Sequence, residues 1–379
     1  MNTAAPATDA AIASKLTRLQ SLDALRGFNM FWIIGGDDLV STMLEKSRNP
    51  VVKGISDNLT SHAPWVGFHF YDMIFPLFLF IAGVALPYAI SKQLERGKTQ
   101  QQIALAILKR TVMLFVCGLI YNGLLKFNGI EHLRIMGVLQ RQALGYGAAA
   151  LIYLYAPKTR QQIGIAVALL LGYWAAMALI HVPGFPRGTM TETGNLANYI
   201  DRALFKPGQL YRSYGDPEGP FSTIPAIATA ILGVLAGKWL RTNKKTENKA
   251  AGLAIAGLGL IAAGAVWGIW FPIIKKIWTS SYVLYAGGWS LLLLALFYYI
   301  IDVKQYKKWA FFFVVIGVNP LTIYLMQEFV NFEEIAKFFF GGALKHAPAI
   351  APVLFIALVI GIKWFVLRFL DKQKIYLRA

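Results

Sequence analysis

The sequence predicts an all-α, polytopic membrane protein with about ten transmembrane helices and both termini on the inner side. Three observations carry this. Apolar residues make up 56% of the 379-residue chain and charged residues only 15%, with a mean hydropathy of +0.51. An ordinary soluble domain has about 25% charged residues, so a soluble fold of this size could not cover so much apolar surface. The apolar residues also fall into separate runs close to the ~20 residues that span a bilayer as a helix. Finally, Lys and Arg gather in alternate connections, as the positive-inside rule requires.

Taken in order, residues 1–17 form a polar, Ala-rich tail with no apolar core of a signal peptide, so the first span is expected to serve as the insertion signal. Residues 18–379 are expected to form one transmembrane domain. The spans are placed at 27–44, 71–91, 105–126, 134–155, 162–180, 221–240, 250–271, 281–302, 309–330 and 349–370. Inside segments then carry Lys15, Arg18 and Arg26; Lys92, Arg96, Lys98, Lys109 and Arg110; Lys158 and Arg160; Lys238, Arg241, Lys244, Lys245 and Lys249; Lys304, Lys307 and Lys308; and Lys363, Arg368, Lys372, Lys374 and Arg378. The formal charge of +18 is read as anchoring against anionic membrane lipid, and a nucleic-acid partner is excluded. The long outer segments, 45–70 and 181–220, suggest a site that opens away from the cytoplasm. The pairs Gly233/Gly237 and Gly264/Gly268 are expected to be close helix-packing faces.

A single cysteine, Cys117, excludes a disulfide framework or thiol relay, and the five histidines show no ligand spacing, so no metal is expected. Charged residues at membrane depth are more informative, because they are costly there unless paired or hydrated. Asp37 and Asp38 follow Gly27 by ten and eleven residues, roughly 15–17 Å along a helix. Adjacent carboxylates repel, which raises one pKa and makes one of them a candidate base. The competing readings are an ion pair with an intramembrane Arg, or a cap on a helix broken at Gly35-Gly36. In SHAPWVGFHFYDMIFP (61–76), His62 beside Pro64 and Trp65 is a candidate general base. Asp72 suits either substrate binding or a helix cap, and His69 an orienting role. Arg141, seven residues after Arg134, either snorkels or holds an anionic ligand. Asp216 and Glu218 precede the sixth span as site residues or as its cap. Asn319-Pro320 breaks the ninth, a feature that often lines a cavity.

Together these motifs resemble the heparan-alpha-glucosaminide N-acetyltransferase family, transmembrane acetyltransferases of lysosomes and many bacteria. RLQSLDALRG (18–27), His62-Ala-Pro-Trp65-Val-Gly67 followed by Asp72, Phe75 and Pro76, GVLQR (137–141), DPEG (216–219), WTSSYV (278–283) and GVNPLTIY (317–324) look like family blocks in the family's order. The spaced His62 motif with DPEG is the specific part. The resemblance implies acetyl transfer from cytoplasmic acetyl-CoA to an extracytoplasmic amino sugar of the glucosamine type. For a bacterial member it implies the inner membrane with a site open to the periplasm, and His62 as the catalytic histidine. Where the lysosomal relatives have an Asn in the first span, Asp37 stands here. The lack of a long outer N-terminal domain points to a small soluble sugar as acceptor.

Aminolysis of a thioester needs a deprotonated amine, a positioned carbonyl and a stabilised oxyanion. The expected assignment gives His62 the amine proton, with Asp37 or Asp38 orienting or charging it. Asn319, Trp65 and Trp278 are candidate oxyanion donors. Arg26, Lys109 and Arg110, with Arg141 and Asn319, are assigned to the acetyl-CoA. Trp65, Asp72, Glu218, Trp278 and Tyr282 are assigned to the sugar. The alternatives are an amino-sugar transporter or permease, which also uses broken helices and midplane carboxylates, and an O-acyltransferase of envelope polysaccharide. Oligomeric state is left open, a homodimer included.

Overall fold

A computed structural model describes residues 19–377 except positions 46 and 48. The expected tail (1–17) and the inside cations Lys15, Arg18 and Arg378 lie outside the described residues. Fifteen α-helices occur among the described residues, and no strand: α1 (Gln20–Phe31), α2 (Asp37–Leu44), α3 (Pro50–Thr60), α4 (Ile74–Glu95), α5 (Gln100–Tyr121), α6 (Val138–Tyr155), α7 (Thr159–Leu179), α8 (Leu196–Leu204), α9 (Pro220–Leu240), α10 (Thr246–Trp267), α11 (Ser280–Tyr298), α12 (Phe311–Val318), α13 (Pro320–Phe329), α14 (Phe332–Leu344) and α15 (Ala351–Lys372).

Seven helical stretches are long and apolar enough to cross a membrane: Phe70–Glu95, α5, α7, α9, α10, Ser280–Val303 and α15. The pair α12/α13, bent by 71° at Asn319, would make an eighth. Eight of the ten expected spans are thus long and apolar enough by themselves. The two remaining segments are helical but fall outside that measure, each for a physical reason. Span 27–44 is interrupted between α1 and α2 by a wide turn, Trp32–Gly36, in which Gly35 adopts φ 127°, a conformation open to glycine. The fourth, α6, is only 18 residues long and carries Gln140, Arg141 and Gln142. Neighbours bury Gln140 and Arg141 on it, so it meets little lipid and tolerates polar side chains.

Small residues bring the central helices into backbone contact. A Cβ on Gly83 of α4 would lie 2.1 Å from Ala230 O of α9, and one on Gly233 would lie 2.0 Å from Phe80 O. Gly237 against Val84 and Gly264 against Tyr285 repeat the arrangement, so these glycines are packing faces. The outer segment 45–70 contains α3, begun by an Asn49 cap and Pro50. Segment 181–220 contains α8, capped by Asn195. Helix α14 was not anticipated. At 13 residues, with Glu333, Glu334 and Lys337 among them, it is shorter and more charged than a bilayer span.

Candidate active site

The site is made by a loop that folds back onto its own carboxylate. Residues 61–69 join α3 to the turn Phe70–Met73 ahead of α4. Asp72, in that turn, is 1% exposed. Its Oδ2 accepts the backbone N–H groups of His69 (2.9 Å) and Ala63 (3.1 Å), satisfying donors that a helix start leaves unpaired. Capping is half of what Asp72 does. Its Oδ1 lies 2.9 Å from His62 Nδ1 and 3.5 Å from Lys275 Nζ. Lys275 Nζ is in turn 2.9 Å and 3.1 Å from the two ring nitrogens of His62. The Tyr71 ring lies 4.9 Å from the imidazole, centroid to centroid. The His62 side chain is still 48% exposed, so a solute can reach it.

A second loop buckles this one in place. Gly67, at φ 123°, donates its N–H to Ile273 O at 2.9 Å. Lys276 Nζ donates to Pro64 O at 2.7 Å, and Trp65 Nε1 reaches a third segment, donating to Met190 O ahead of α8 at 2.7 Å. The receiving loop is stiffened by WTSSYV: the Thr279 hydroxyl donates to Pro272 O (2.9 Å) and the Ser281 hydroxyl to Phe271 O (2.5 Å). Trp278 takes a left-handed backbone, φ 50°, at a cost on the order of 1 kcal/mol. It is held by a hydrogen bond from Nε1 to the Thr229 hydroxyl (3.2 Å) and by the Arg141 guanidinium 4.7 Å over its ring.

Beside this site lies an ion cluster built from DPEG. Arg134 makes a two-pronged pair with Asp216 (2.8 and 2.7 Å) and also reaches Glu218 Oε2 at 2.5 Å. Burial opposes the charge on Arg134, but Asp216 and Glu218 more than offset it and hold the guanidinium protonated. Burial pushes the Glu218 carboxyl up, against the pull of Arg141 and Arg134. Arg141, fully buried, bonds the hydroxyls of Thr223 and Ser222 and Gly219 O, leaving Nη1 without a partner. Asp201 accepts the Asp216 N–H (3.1 Å), and burial lifts its pKa to about 7.

A cavity of about 480 Å³ runs along α4. Its wall runs from Phe75 to Ala89, about 21 Å of helix. The lining is mainly apolar, with Phe75, Phe78, Leu86 and Leu114 among it, and Arg26 and Arg110 supply cations. The size is within the range of small-molecule sites.

The expected site residues separate into groups. His62 and Asp72 are joined directly. Asp37 and Asp38 do not meet His62, which corrects the pairing expected above: the break at Gly35 starts α2 at Asp37, so its carboxylate accepts the Tyr71 hydroxyl (2.6 Å) and the Asp38 N–H. Asp38 faces solvent. Trp278 and Tyr282, 1% and 0% exposed, offer no face to a sugar. The Tyr282 hydroxyl instead donates to Asp72 O (2.7 Å). Trp65 is half-buried beneath Lys276. Glu218 belongs to the ion cluster. Of the donor-binding assignments, Arg26 and Arg110 line the cavity, whereas exposed Lys109 does not. Arg141 sits in the DPEG cluster, and Asn319, between lining residues Val318 and Pro320, bonds Ile375 O (2.9 Å). Lys275 was missed. Its only sequence signal is a position three residues before WTSSYV.

The fold and site define a polytopic helical membrane protein with a carboxylate-backed histidine ahead of a helix that walls an apolar cavity with two arginines. Residues 18–186 match a family described as "Domain of unknown function (DUF5009)". The chain is 28% identical over 320 residues to heparan-alpha-glucosaminide N-acetyltransferase of Homo sapiens, covering 70% of this chain and 48% of that protein. The Mus musculus protein of the same name matches at 28%, covering 70% and 49%. These matches agree with the resemblance carried by the motifs: the chain is similar to these N-acetyltransferases. It spans about half the length of the curated relatives it matches.

Proposed function

We propose that residues 18–379 act as one transmembrane N-acetyltransferase, moving the acetyl group of cytoplasmic acetyl-CoA to the amine of an extracytoplasmic amino sugar of the glucosamine type. In this reading the protein lies in a bacterial inner membrane, N-in and C-in, with His62 facing the periplasm. One observation carries it: the cavity begins at Phe75, three residues from Asp72, and continues along α4 to Ala89. A thioester held there would present its carbonyl to the exposed His62. Arg26 and Arg110 would hold the donor's phosphates, and the apolar wall would exclude water from the thioester.

His62 takes a proton from the attacking amine at Nε2, while Nδ1–H stays on Asp72. The amine nitrogen bonds to the thioester carbon, the C–S bond breaks with its electron pair on sulfur, and the proton on Nε2 passes to that sulfur. Amide and thiol leave with all atoms accounted for. Asp72 fixes the ring and stabilises the transient imidazolium, worth about 10²–10⁴-fold for a base of this kind.

The test is an acetyl balance. Purified protein is given acetyl-CoA with a panel of amino sugars, and free thiol and product mass are followed. Stoichiometric thiol release with an N-acetylated sugar is the expected result. Thiol release with O-acetylated product would favour an O-acyltransferase, and no release from folded protein would overturn the reading.

A further inference from the structure

Resting on that reading, we propose that a second cavity, walled by Asp38, Glu333 and Lys363, is the docking site of the acceptor, a small hydroxylated primary amine taken up as its ammonium. The cavity, about 560 Å³ and within the range of small-molecule sites, lies where two helix breaks meet. One break is the wide turn Trp32–Gly36 ahead of α2. The other is the pair Val330 and Asn331, between α13 and α14. Helix α15 closes over the first, its Ile360 side chain 3.3 Å from where a Cβ on Gly35 would stand. Broken helices at membrane depth line cavities because their freed backbone groups need partners.

Lys363 is the observation that points to a ligand. It is 9% exposed, buried in α15 rather than open at the inner face. Its ammonium has three donors. One goes to Ile34 O of the broken turn at 2.9 Å. The Phe332 ring, 5.7 Å away, supports the charge without taking a hydrogen bond. No carboxylate among the described residues is within ion-pair distance, so two N–H groups on the cavity wall are left for the oxygens of a solute. The other charges on the wall are Asp38, Glu328 and Glu333. Glu328 is paired with Lys126 at 3.5 Å. Asp38 and Glu333 are exposed, with no side-chain hydrogen bond or ion pair among the described residues. Such a wall suits a ligand that brings hydroxyl oxygens to Lys363 and a cation to the two carboxylates. A primary amine is largely protonated at neutral pH, and a hexosamine carries both groups on one ring. An anion would meet two like charges, and a neutral sugar would leave them unpaired. A short chain of contacts joins the cavity to His62. Asp38 lines it, Asp37 beside it holds the Tyr71 hydroxyl at 2.6 Å, and the Tyr71 ring lies 4.9 Å from the imidazole.

The experiment is calorimetric titration of the purified protein, without acetyl-CoA, with glucosamine, glucose and N-acetylglucosamine. Wild type is compared with Asp38→Asn, Glu333→Gln and Lys363→Met. Wild type should bind glucosamine at least about tenfold more tightly than either neutral sugar. Asp38→Asn and Glu333→Gln should each weaken glucosamine about tenfold and leave the neutral sugars unchanged. Lys363→Met should weaken all three, since all three carry hydroxyls. In turnover, KM for glucosamine should rise in the same variants, with KM for acetyl-CoA within about threefold of wild type. A merely structural role would move both. Asp38 and Glu333 are exposed, so their variants carry the test even where Lys363→Met does not fold. Equal affinity of wild type for the three sugars overturns the proposal, and so does glucosamine binding that ignores both carboxylate variants. A wild type that binds glucosamine as described yet releases no thiol sinks the acetyltransferase reading and keeps the site. An active wild type whose KM for glucosamine ignores Asp38→Asn and Glu333→Gln sinks the second cavity alone.

Discussion

The segments 32–38 and 61–73 both carry carboxylates where the sequence places membrane, and the fold treats them in opposite ways. Asp72 is 1% exposed and surrounded by two backbone N–H groups, an imidazole and an ammonium. Asp37 stands at the start of a helix after a broken turn and meets one phenol, while Asp38 beside it is exposed. The difference teaches that depth along a helix does not choose the partner of a catalytic histidine. Asp72 meets His62 because a nine-residue loop, closed by hydrogen bonds to Asp72 itself, brings the ring back over the helix start. No such closure reaches Asp37.

Substitution separates the two carboxylates. Asp72→Asn should lower thiol release by about 10² or more, because the orienting charge and the cap are lost together. Asp37→Asn should stay within about tenfold, or about 1.4 kcal/mol, because an amide still accepts the Tyr71 hydroxyl. Steady-state rates at saturating substrates compare them, and equal losses would erase the distinction. A smaller effect concerns the cavity. Arg26→Gln and Arg110→Gln should each weaken acetyl-CoA binding about tenfold, seen as a reduced thermal shift at fixed CoA. Lys109→Gln, off the lining, should leave that shift unchanged.

The smallest effect is on stability. The Asp201 carboxyl, raised from 3.8 to about 7 by burial, binds its proton more tightly folded than unfolded. The stability it contributes is complete below about pH 4 and is lost as pH rises through about 7. The melting temperature of wild type should therefore fall relative to that of Asp201→Asn between pH 5 and 8. Parallel melting curves would show that Asp201 does not titrate in that window.

Much of the architecture was legible in the sequence because apolar runs of bilayer length are an unambiguous signal; α5, α7, α9, α10 and α15 fall close to their expected bounds. The fourth span is harder to place because α6 borrows its shielding from neighbours, which the sequence does not reveal. The site was legible where it is local: His62 and Asp72 share one block ten residues apart. It was not legible where partners come from distant segments. Lys275 is separated from His62 by 213 residues, and Arg134 from Asp216 by 82. Trp278 and Tyr282 looked like sugar platforms because aromatic residues serve packing and stacking equally well, and only their burial decides.

The central claim is that the cavity and the His62–Asp72 loop are two ends of one acetyl-transfer path. Proteoliposomes holding acetyl-CoA inside, with labelled glucosamine outside, test it most directly, with the products identified by mass on both sides. The account predicts N-acetylglucosamine outside and free CoA inside, both lost by at least about 10² in His62→Ala. Unmodified glucosamine accumulating inside, equally with His62→Ala, would contradict it and make the protein a transporter.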